Sequence, residues 1–164
     1  MESPYTTFFS SPIGLMEINS TDKAVTTVSF VETKEKAPSV SMPDCLKECV
    51  EQLDEYFRGA RKAFTIPTLL EGTSFQQQVW HELGNIPFGK TTSYMAMARK
   101  LNNPNAMRAI GNTNSKNKIC ILLPCHRVIG HDGSLVGYAG GLWRKKWLLA
   151  HEQTYSGYQQ MKLF

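Results

Sequence analysis

The chain has no apolar run approaching the roughly 18 residues that a membrane span needs, so a membrane-embedded protein is not expected. Its first residues, Met1-Glu2-Ser3-Pro4, carry neither a basic nor an apolar stretch. No secretory leader is therefore expected, and the expected compartment is the cytoplasm. Internal repeats and low-complexity tracts are lacking, which argues against solenoids and compositionally biased tails. Neither cysteine nor histidine precedes Cys45. Acidic residues are scarce in the second half, where residues 74–164 hold only Glu82, Asp132 and Glu152.

That last scarcity sets up a charge asymmetry. Residues 1–73 carry 7 Lys and Arg against 11 Asp and Glu, whereas residues 74–164 carry 11 against 3, so a formal net charge of +4 conceals balances of −4 and +8. A positive field segregated in this way favours a polyanionic partner, nucleic acid first. A solvated basic surface explains the same numbers equally well. With 41% hydrophobic and 20% charged residues, the 164-residue chain has ordinary globular composition and can form one domain or two small ones.

Of the four cysteines, Cys45 and Cys49 fall at i, i+4 on an apolar helix face, and Cys120 lies inside the apolar run Ile119-Cys120-Ile121-Leu122-Leu123. Thiols in such places act as small hydrophobes. A disulfide framework is not expected in a cytosolic chain, and a closed zinc site needs four converging ligands, so no metal is expected. Cys125 remains as the cysteine in an unusual setting.

Strand patterns occupy residues 5–9, 15–19 and 25–31, separated by turn-rich Ser10-Ser11-Pro12-Ile13-Gly14 and polar Ser20-Thr21-Asp22-Lys23. Residues 32–43 read as a loop. Residues 44–57 form an amphipathic helix with Cys45, Leu46, Cys49, Val50, Leu53, Tyr56 and Phe57 inward and Gly59 past its end. Residues 63–66 are expected to add a strand. The second half opens on a helix capped by Ser74 with Gln77 in capping-box position. Two short helices follow over 92–101 and 104–113, with Asn103 as N-cap and Pro104 in the first turn, a helix-turn-helix candidate. Residues 118–123 read as a buried strand, and 142–151 as a last helix burying Leu142, Trp143, Trp147 and Leu149. The expected fold class is α+β, with a small antiparallel-sheet domain over residues 1–72 and a mostly helical domain over 73–164.

Cys125 follows the apolar run directly and has His126 beside it, within the basic half. The thiolate is the reactive form of cysteine, and positive surroundings lower a thiol pKa. His126 is the candidate base. Adjacent side chains of an extended chain point to opposite faces, so a contact between the two requires a bend or a bridging water. A carboxylate should orient the imidazole, and Glu152 is the choice among three acids. His81, His131 and His151 are read as surface or packing residues.

Pro124-Cys125-His126-Arg127-Val128 resembles the active-site signature of the O6-alkylguanine-DNA alkyltransferases. Ser74-Phe75 with Val79-Trp80, Ile86-Pro87 and Gly89, Ser93-Tyr94, Arg108-Ala109-Ile110-Gly111, Asn117, Tyr138, Gly140-Gly141 and Trp147 to Glu152 stand in the family's order and spacing. The likeness covers nearly all of residues 74–152. Ahead of it only Ser11-Pro12-Ile13-Gly14 and the strand pattern match.

The resemblance implies an RNase H-like N-terminal domain and direct, stoichiometric, irreversible repair of O6-alkylguanine, with O4-alkylthymine as a further substrate. Cys125 would accept the alkyl group. His126 would act through a water, with Glu152 holding its ring. Tyr94 would hydrogen-bond the flipped base, and Asn117 would brace the turn that carries Cys125. Tyr138, Ala139, Gly140 and Gly141 would wall the base pocket. The helix from Pro104 would enter the minor groove of double-stranded DNA, Ala106, Ala109 and Gly111 allowing close approach and Arg108 filling the gap left by the extruded base. Arg127 is counted with the DNA contacts. The implied protein is a monomer that needs no cofactor.

The chain lacks the N-terminal cysteine and histidine with which some members bind zinc. Cys120 and Val136 fall near the expected pocket where some members have proline and glycine, and Met107 is larger than the alanine common beside the inserted arginine. A lesion-binding relative that recruits other repair proteins is the alternative; such relatives replace the cysteine, commonly by tryptophan. A cysteine hydrolase would leave the basic half unexplained, and a bare helix-turn-helix protein would give Cys125 no role.

Overall fold

The computed structural model describes residues 3–157; Met1, Glu2 and residues 158–164, the ends of the two expected domains, lie outside the described residues. The chain folds into two compact units, one comprising residues up to Leu70 plus Lys118–Leu122, the other Glu71–Asn117 and the chain from Leu123 onward. Among the described residues no helix is long and apolar enough to cross a membrane.

The first unit is an antiparallel meander of β1 (Tyr5–Ser11), β2 (Gly14–Ser20) and β3 (Val25–Phe30), with α1 (Asp44–Phe57) packed on it. The β1–β2 hairpin is tighter than its sequence suggests. Ser11 pairs with Gly14 across a two-residue turn of Pro12 and Ile13, and Gly14 takes φ 127°, open to glycine at little cost. Phe9 of β1 stacks on Phe57 of α1 with ring centroids 5.9 Å apart. Both Cys45 and Cys49 are buried on the sheet-facing stripe of α1, as their spacing predicts.

Two expected strands are reduced to single bridges. Residues 63–66 make no ladder, because Gln52 of α1, buried where Val50 is expected, binds that segment with its side chain. Its Nε2 donates to Thr65 Oγ1 (2.7 Å) and its Oε1 accepts from Thr65 N–H (3.0 Å). The parallel bridge falls instead at Thr68 with Val25. Residues 118–123 likewise yield one parallel bridge, Val28 with Ile119, flanked by Val28 N–H to Lys118 C=O (2.8 Å) and Cys120 N–H to Val28 C=O (2.9 Å). The chain then turns at Ile121, which has φ 73°.

The second unit comprises α2 (Ser74–Gly84), β4 (Thr92–Ser93), α3 (Tyr94–Lys100), α4 (Met107–Ser115), a 3-10 turn at Cys125–Arg127, β5 (Val128–Ile129) and α5 (Leu142–Ser156). The α2 capping box is one residue earlier than expected, with Thr73 and Gln76 exchanging bonds of 3.1 and 2.9 Å. With glutamines at 76, 77 and 78, the sequence fits either register. Gly72 is required there, since a Cβ would stand 2.7 Å from the Trp80 ring. Helix α4 begins at Met107 rather than Pro104, and Asn103 caps nothing with its side chain; its carbonyl accepts from Ala106 N–H (3.0 Å) in the preceding turn.

Helix α5 also differs from its reading. It runs on to Ser156, and Leu142 and Trp143 are exposed (49% and 58%) rather than buried. Its inward stripe is Lys145, Leu148, Leu149 and Glu152, an i, i+3, i+4, i+7 pattern with a charge at each end. The α+β architecture, a small antiparallel sheet followed by a helical domain, is as expected.

The Gln52 clamp is open to test. Gln52→Ala removes two hydrogen bonds and is expected to cost about 1–2 kcal/mol. A shift of the urea midpoint checks this; an unchanged midpoint would mean that the clamp is dispensable.

Candidate active site

The approach to Cys125 is made of tight turns. Leu122 N–H bonds to Cys120 C=O (2.8 Å) around Ile121, a positive-φ γ-turn on a β-branched residue. Such backbone costs on the order of 1–3 kcal/mol and persists only where its surroundings impose it. Pro124 (φ −82°, ψ 61°) then forms an inverse γ-turn, closed by Cys125 N–H on Leu123 C=O (2.8 Å). The 3-10 turn follows, and β5 leaves it to pair in parallel with β4, so that Val128 matches Thr92 and Ile129 matches Ser93. Tyr94 is the residue after β4, and Ser93 caps α3 by accepting from Ala96 N–H (2.9 Å).

Asn117, five per cent exposed, bridges the turn: its Nδ2 donates to Leu123 C=O (3.0 Å) and to Cys125 Sγ (3.2 Å). Burial pushes the Cys125 thiol up from its ordinary value, against the opposing pull of the Asn117 N–H and the Lys145 ammonium. The sequence reading expects positive surroundings to lower this pKa. They act in that direction, but the loss of water outweighs them.

His126 is fully buried, with Nε2 2.6 Å from Glu152 Oε2. Burial holds the imidazole below its ordinary pKa although Glu152 draws it upward, so the neutral ring is favoured. A carboxylate only accepts, which assigns the proton to Nε2 and leaves the lone pair on Nδ1. That Nδ1 is buried and has no hydrogen-bond partner.

Glu152 also accepts from Arg127 Nε (2.8 Å) and Nη2 (3.0 Å) and from Gly89 N–H (3.2 Å). Burial alone would raise its pKa, yet the His126 and Arg127 partners hold it well below the carboxylate range. Arg127 spends its remaining reach on Ile86 C=O (2.6 Å) and the face of Phe88 (5.8 Å). It is 6% exposed, so its expected place among the DNA contacts is corrected: the guanidinium is committed to a buried carboxylate and is not open to a phosphate. Ala106 is corrected in the same way, being 5% exposed where a groove contact is expected.

An open cavity of about 200 Å³ is lined by Tyr94, Gly111, Asn114, Ser115, Cys125, Gly137, Tyr138 and Ala139. A single water has a share of only about 30 Å³, so this space admits a group several times larger. The structure therefore brings Cys125, Tyr94, Gly111, Tyr138 and Ala139 together at one pocket. The Tyr138 ring stands edge-on to His126 (6.5 Å). Gly140 and Gly141 are set back from it; Gly140 C=O accepts from Arg144 (3.0 Å), and Gly141, at φ 93°, is the N-cap of α5. Arg108 and Ala109 are exposed on α4. Cys120 does not line the pocket; it is buried in the first unit beside β3. Val136 reaches this region through its carbonyl, which accepts from Tyr94 Oη (3.4 Å).

Lys145 was missed. It is fully buried, and its Nζ donates to Val128 C=O (2.6 Å), Val136 C=O (2.8 Å) and Gly137 C=O (3.1 Å). It thereby fastens the pocket wall to the strand that leaves the Cys125 turn. Burial pushes its pKa down to about 8. The signal available in sequence was its spacing of three, four and seven residues from Leu148, Leu149 and Glu152.

The second unit thus sets two short helices beside a pocket walled by a buried cysteine, with a His–Glu pair next to it in the chain. Residues 74–154 match the model of the 6-O-methylguanine DNA methyltransferase DNA-binding domain, and residues 5–70 match that family's ribonuclease-like domain. A methylated-DNA--protein-cysteine methyltransferase of Methanosarcina acetivorans is 40% identical over 155 residues, covering 90% of this chain and 97% of the relative. The constitutive enzyme of that name from Bacillus subtilis is 39% identical, covering 83% and 87%. The crystal structure of the Mycobacterium tuberculosis O6-methylguanine methyltransferase superposes with a TM-score of 0.82 at 37% identity, covering 92% of this chain and 93% of the other. The crystal structure of Mycobacterium tuberculosis OGT in complex with DNA gives 0.82 at 38%, covering 92% and 94%. The chain belongs to the 6-O-methylguanine DNA methyltransferase family.

Acid should weaken the second unit in two steps. The folded-state pKa of His126 lies below its ordinary 6.5 and that of Glu152 below its ordinary 4.5, so below each value the unfolded chain binds the extra proton. Stability is therefore expected to fall as pH drops through 6.5, and again below 4.5. Glu152→Gln should lose about 3–5 kcal/mol at pH 7 by stranding the Arg127 charge, and should flatten the lower step. Denaturant melts across pH 3–8 check both; a wild-type curve flat from pH 7 to 4 would contradict the assignment. Lys145→Met leaves three carbonyls without their donor, and amide exchange over residues 136–139 should accelerate while α2 keeps its protection.

Proposed function

We propose that this protein repairs O6-alkylguanine in double-stranded DNA by taking the alkyl group onto Cys125, once per molecule. The observation that carries this reading is the Cys125 sulfur at the wall of a base-sized pocket, bonded by Asn117 (3.2 Å) and followed by His126 paired to Glu152 (2.6 Å). The thiol form is favoured at rest, so transfer requires a base. A water on His126 Nδ1 would relay the thiol proton to the imidazole, and Glu152 would stabilise the resulting cation.

The thiolate attacks the alkyl carbon in line. The S–C bond forms as the C–O6 bond breaks, and the electron pair stays with the purine, which takes a proton and leaves as guanine. Tyr94 supplies that proton from the pocket wall. The thioether has no route back to a thiolate, so each molecule acts once. The same chemistry extends to O4-alkylthymine.

DNA binding rests on the basic half of the chain, with 11 Lys and Arg against 3 Asp and Glu, and on α4. Exposed Arg108 and Ala109 and the small Gly111 suit a helix laid in the minor groove, Arg108 filling the space of the flipped nucleotide. Phosphate contacts make such binding salt-dependent and largely indifferent to sequence. The two units, with a boundary read at residues 72 and 73, act as a monomer in the cytoplasm without a cofactor.

Intact mass after incubation with duplex DNA containing O6-methylguanine tests the reading. A gain of one methylene per molecule, mapped to Cys125 and absent in Cys125→Ser, is expected. Binding without a mass gain would indicate a lesion-binding protein instead. Arg108→Ala should slow transfer from duplex DNA by about tenfold or more, since unstacking a base costs a few kcal/mol; an unchanged rate would remove the inserted-arginine role.

A further inference from the structure

Asn114 lines the same cavity as Cys125 and Tyr94, yet no motif reading singles it out. It is 7% exposed, and neither Nδ2 nor Oδ1 makes a hydrogen bond of good geometry, the Tyr94 hydroxyl being the polar group within its reach. Two polar groups without good bonds on one buried side chain are costly, and a role in the working complex is one physical reason to keep them there. Its location narrows what that is. The Tyr94 ring packs against α4 at Gly111, with Tyr94 Cε1 3.8 Å from where a Cβ at that position would stand. Asn114 is three residues further along the same helix, on the same face. Burial and the nearby Cys125 sulfur disfavour the Tyr94 phenolate, and the Asn114 carboxamide acts the other way.

We propose that Asn114 is a positioning residue for departure of the base: its Nδ2–H donates to the Tyr94 oxygen as Tyr94 gives its proton to the leaving purine. Tyr94 Oη donates a long bond of 3.4 Å to Val136 C=O, which leaves its lone pairs to accept from the Asn114 carboxamide. On transfer the S–C bond forms and the C–O6 bond breaks, its pair passing to the purine. The purine takes the phenol proton and leaves neutral. The phenolate is held by Asn114 until it regains the proton that Cys125 gave up through water and His126. Nothing is oxidised or reduced, and the net proton movement is from thiol to guanine. This assignment rests on the alkyl-transfer reading given above.

The test is a double-mutant comparison by intact mass, following single-turnover transfer from saturating O6-methylguanine duplex, with thermal melts of every variant. Asn114→Ala should slow transfer by about tenfold, the kinetic equivalent of one hydrogen bond. Asn114→Asp keeps the volume but offers only acceptors beside a developing phenolate, so it should be slower than alanine; a packing role would make it the milder change. In a Tyr94→Phe background, Asn114→Ala should cost less than a factor of two, because its partner is already gone. A wild-type rate in Asn114→Ala would overturn the proposal, as would an equal loss with and without the Tyr94 hydroxyl. If alanine lowers the melting temperature enough to unfold the protein, the aspartate variant carries the same comparison. Failure of the wild-type protein itself to gain a methylene would overturn the transfer reading and this inference with it.

Discussion

Glu152 has 1% of its surface exposed, and a charge so placed must be matched by donors from the protein itself. Its two oxygens collect His126, both Arg127 contacts and the Gly89 amide, so that α5, the turn at Cys125–Arg127 and the loop after α2 meet at one carboxylate. That arrangement fixes the imidazole tautomer, takes Arg127 away from the surface and settles which face of α5 turns inward. The site chemistry is thus a by-product of satisfying one buried ion. The ion pair is no bonus to stability in itself, since its desolvation offsets much of the attraction. What it supplies is a single geometry for the residues on either side of Cys125.

Much of the fold could be read from the sequence wherever a local pattern decided the outcome. The hairpin strands, the α1 stripe with Cys45 and Cys49 inward, and the paired helices α3 and α4 all follow from periodicity and turn chemistry. The losses came where tertiary hydrogen bonds displaced local preference. Thr65 bonds to a glutamine side chain instead of a strand, and Ile121 takes a backbone conformation that its branched side chain disfavours. At the site, Cys125, His126 and Glu152 were legible because adjacency and a shortage of acids left few choices, whereas Asn117 came only from the family resemblance.

Arg127 was read as a DNA contact because nothing local shows that Glu152 draws it inward. Lys145 and the exposed Trp143 were not legible, and for a common reason. Ranking helix positions by hydrophobicity places tryptophan inside and lysine outside, whereas α5 packs over the carbonyls of Val128, Val136 and Gly137, where a cation serves as their donor. Buried lysine is rare because its charge is costly, and here three carbonyl oxygens within 3.1 Å offset that cost. Asn114 escaped notice for the opposite reason: a polar residue on a helix reads as solvent-facing, and only the cavity reveals it as buried.

The burial of Cys125 also bears on how long the protein stays usable. A molecule that reacts once is a stored reagent, and any electrophile or oxidant that reaches the sulfur first consumes it. With the residue 6% exposed and its protonated form favoured, the thiol is a poor target for small reactive species in solution. On the proposed single-use reaction, slow loss of the idle thiol would leave the capacity of the pool to be set by the lesions it meets.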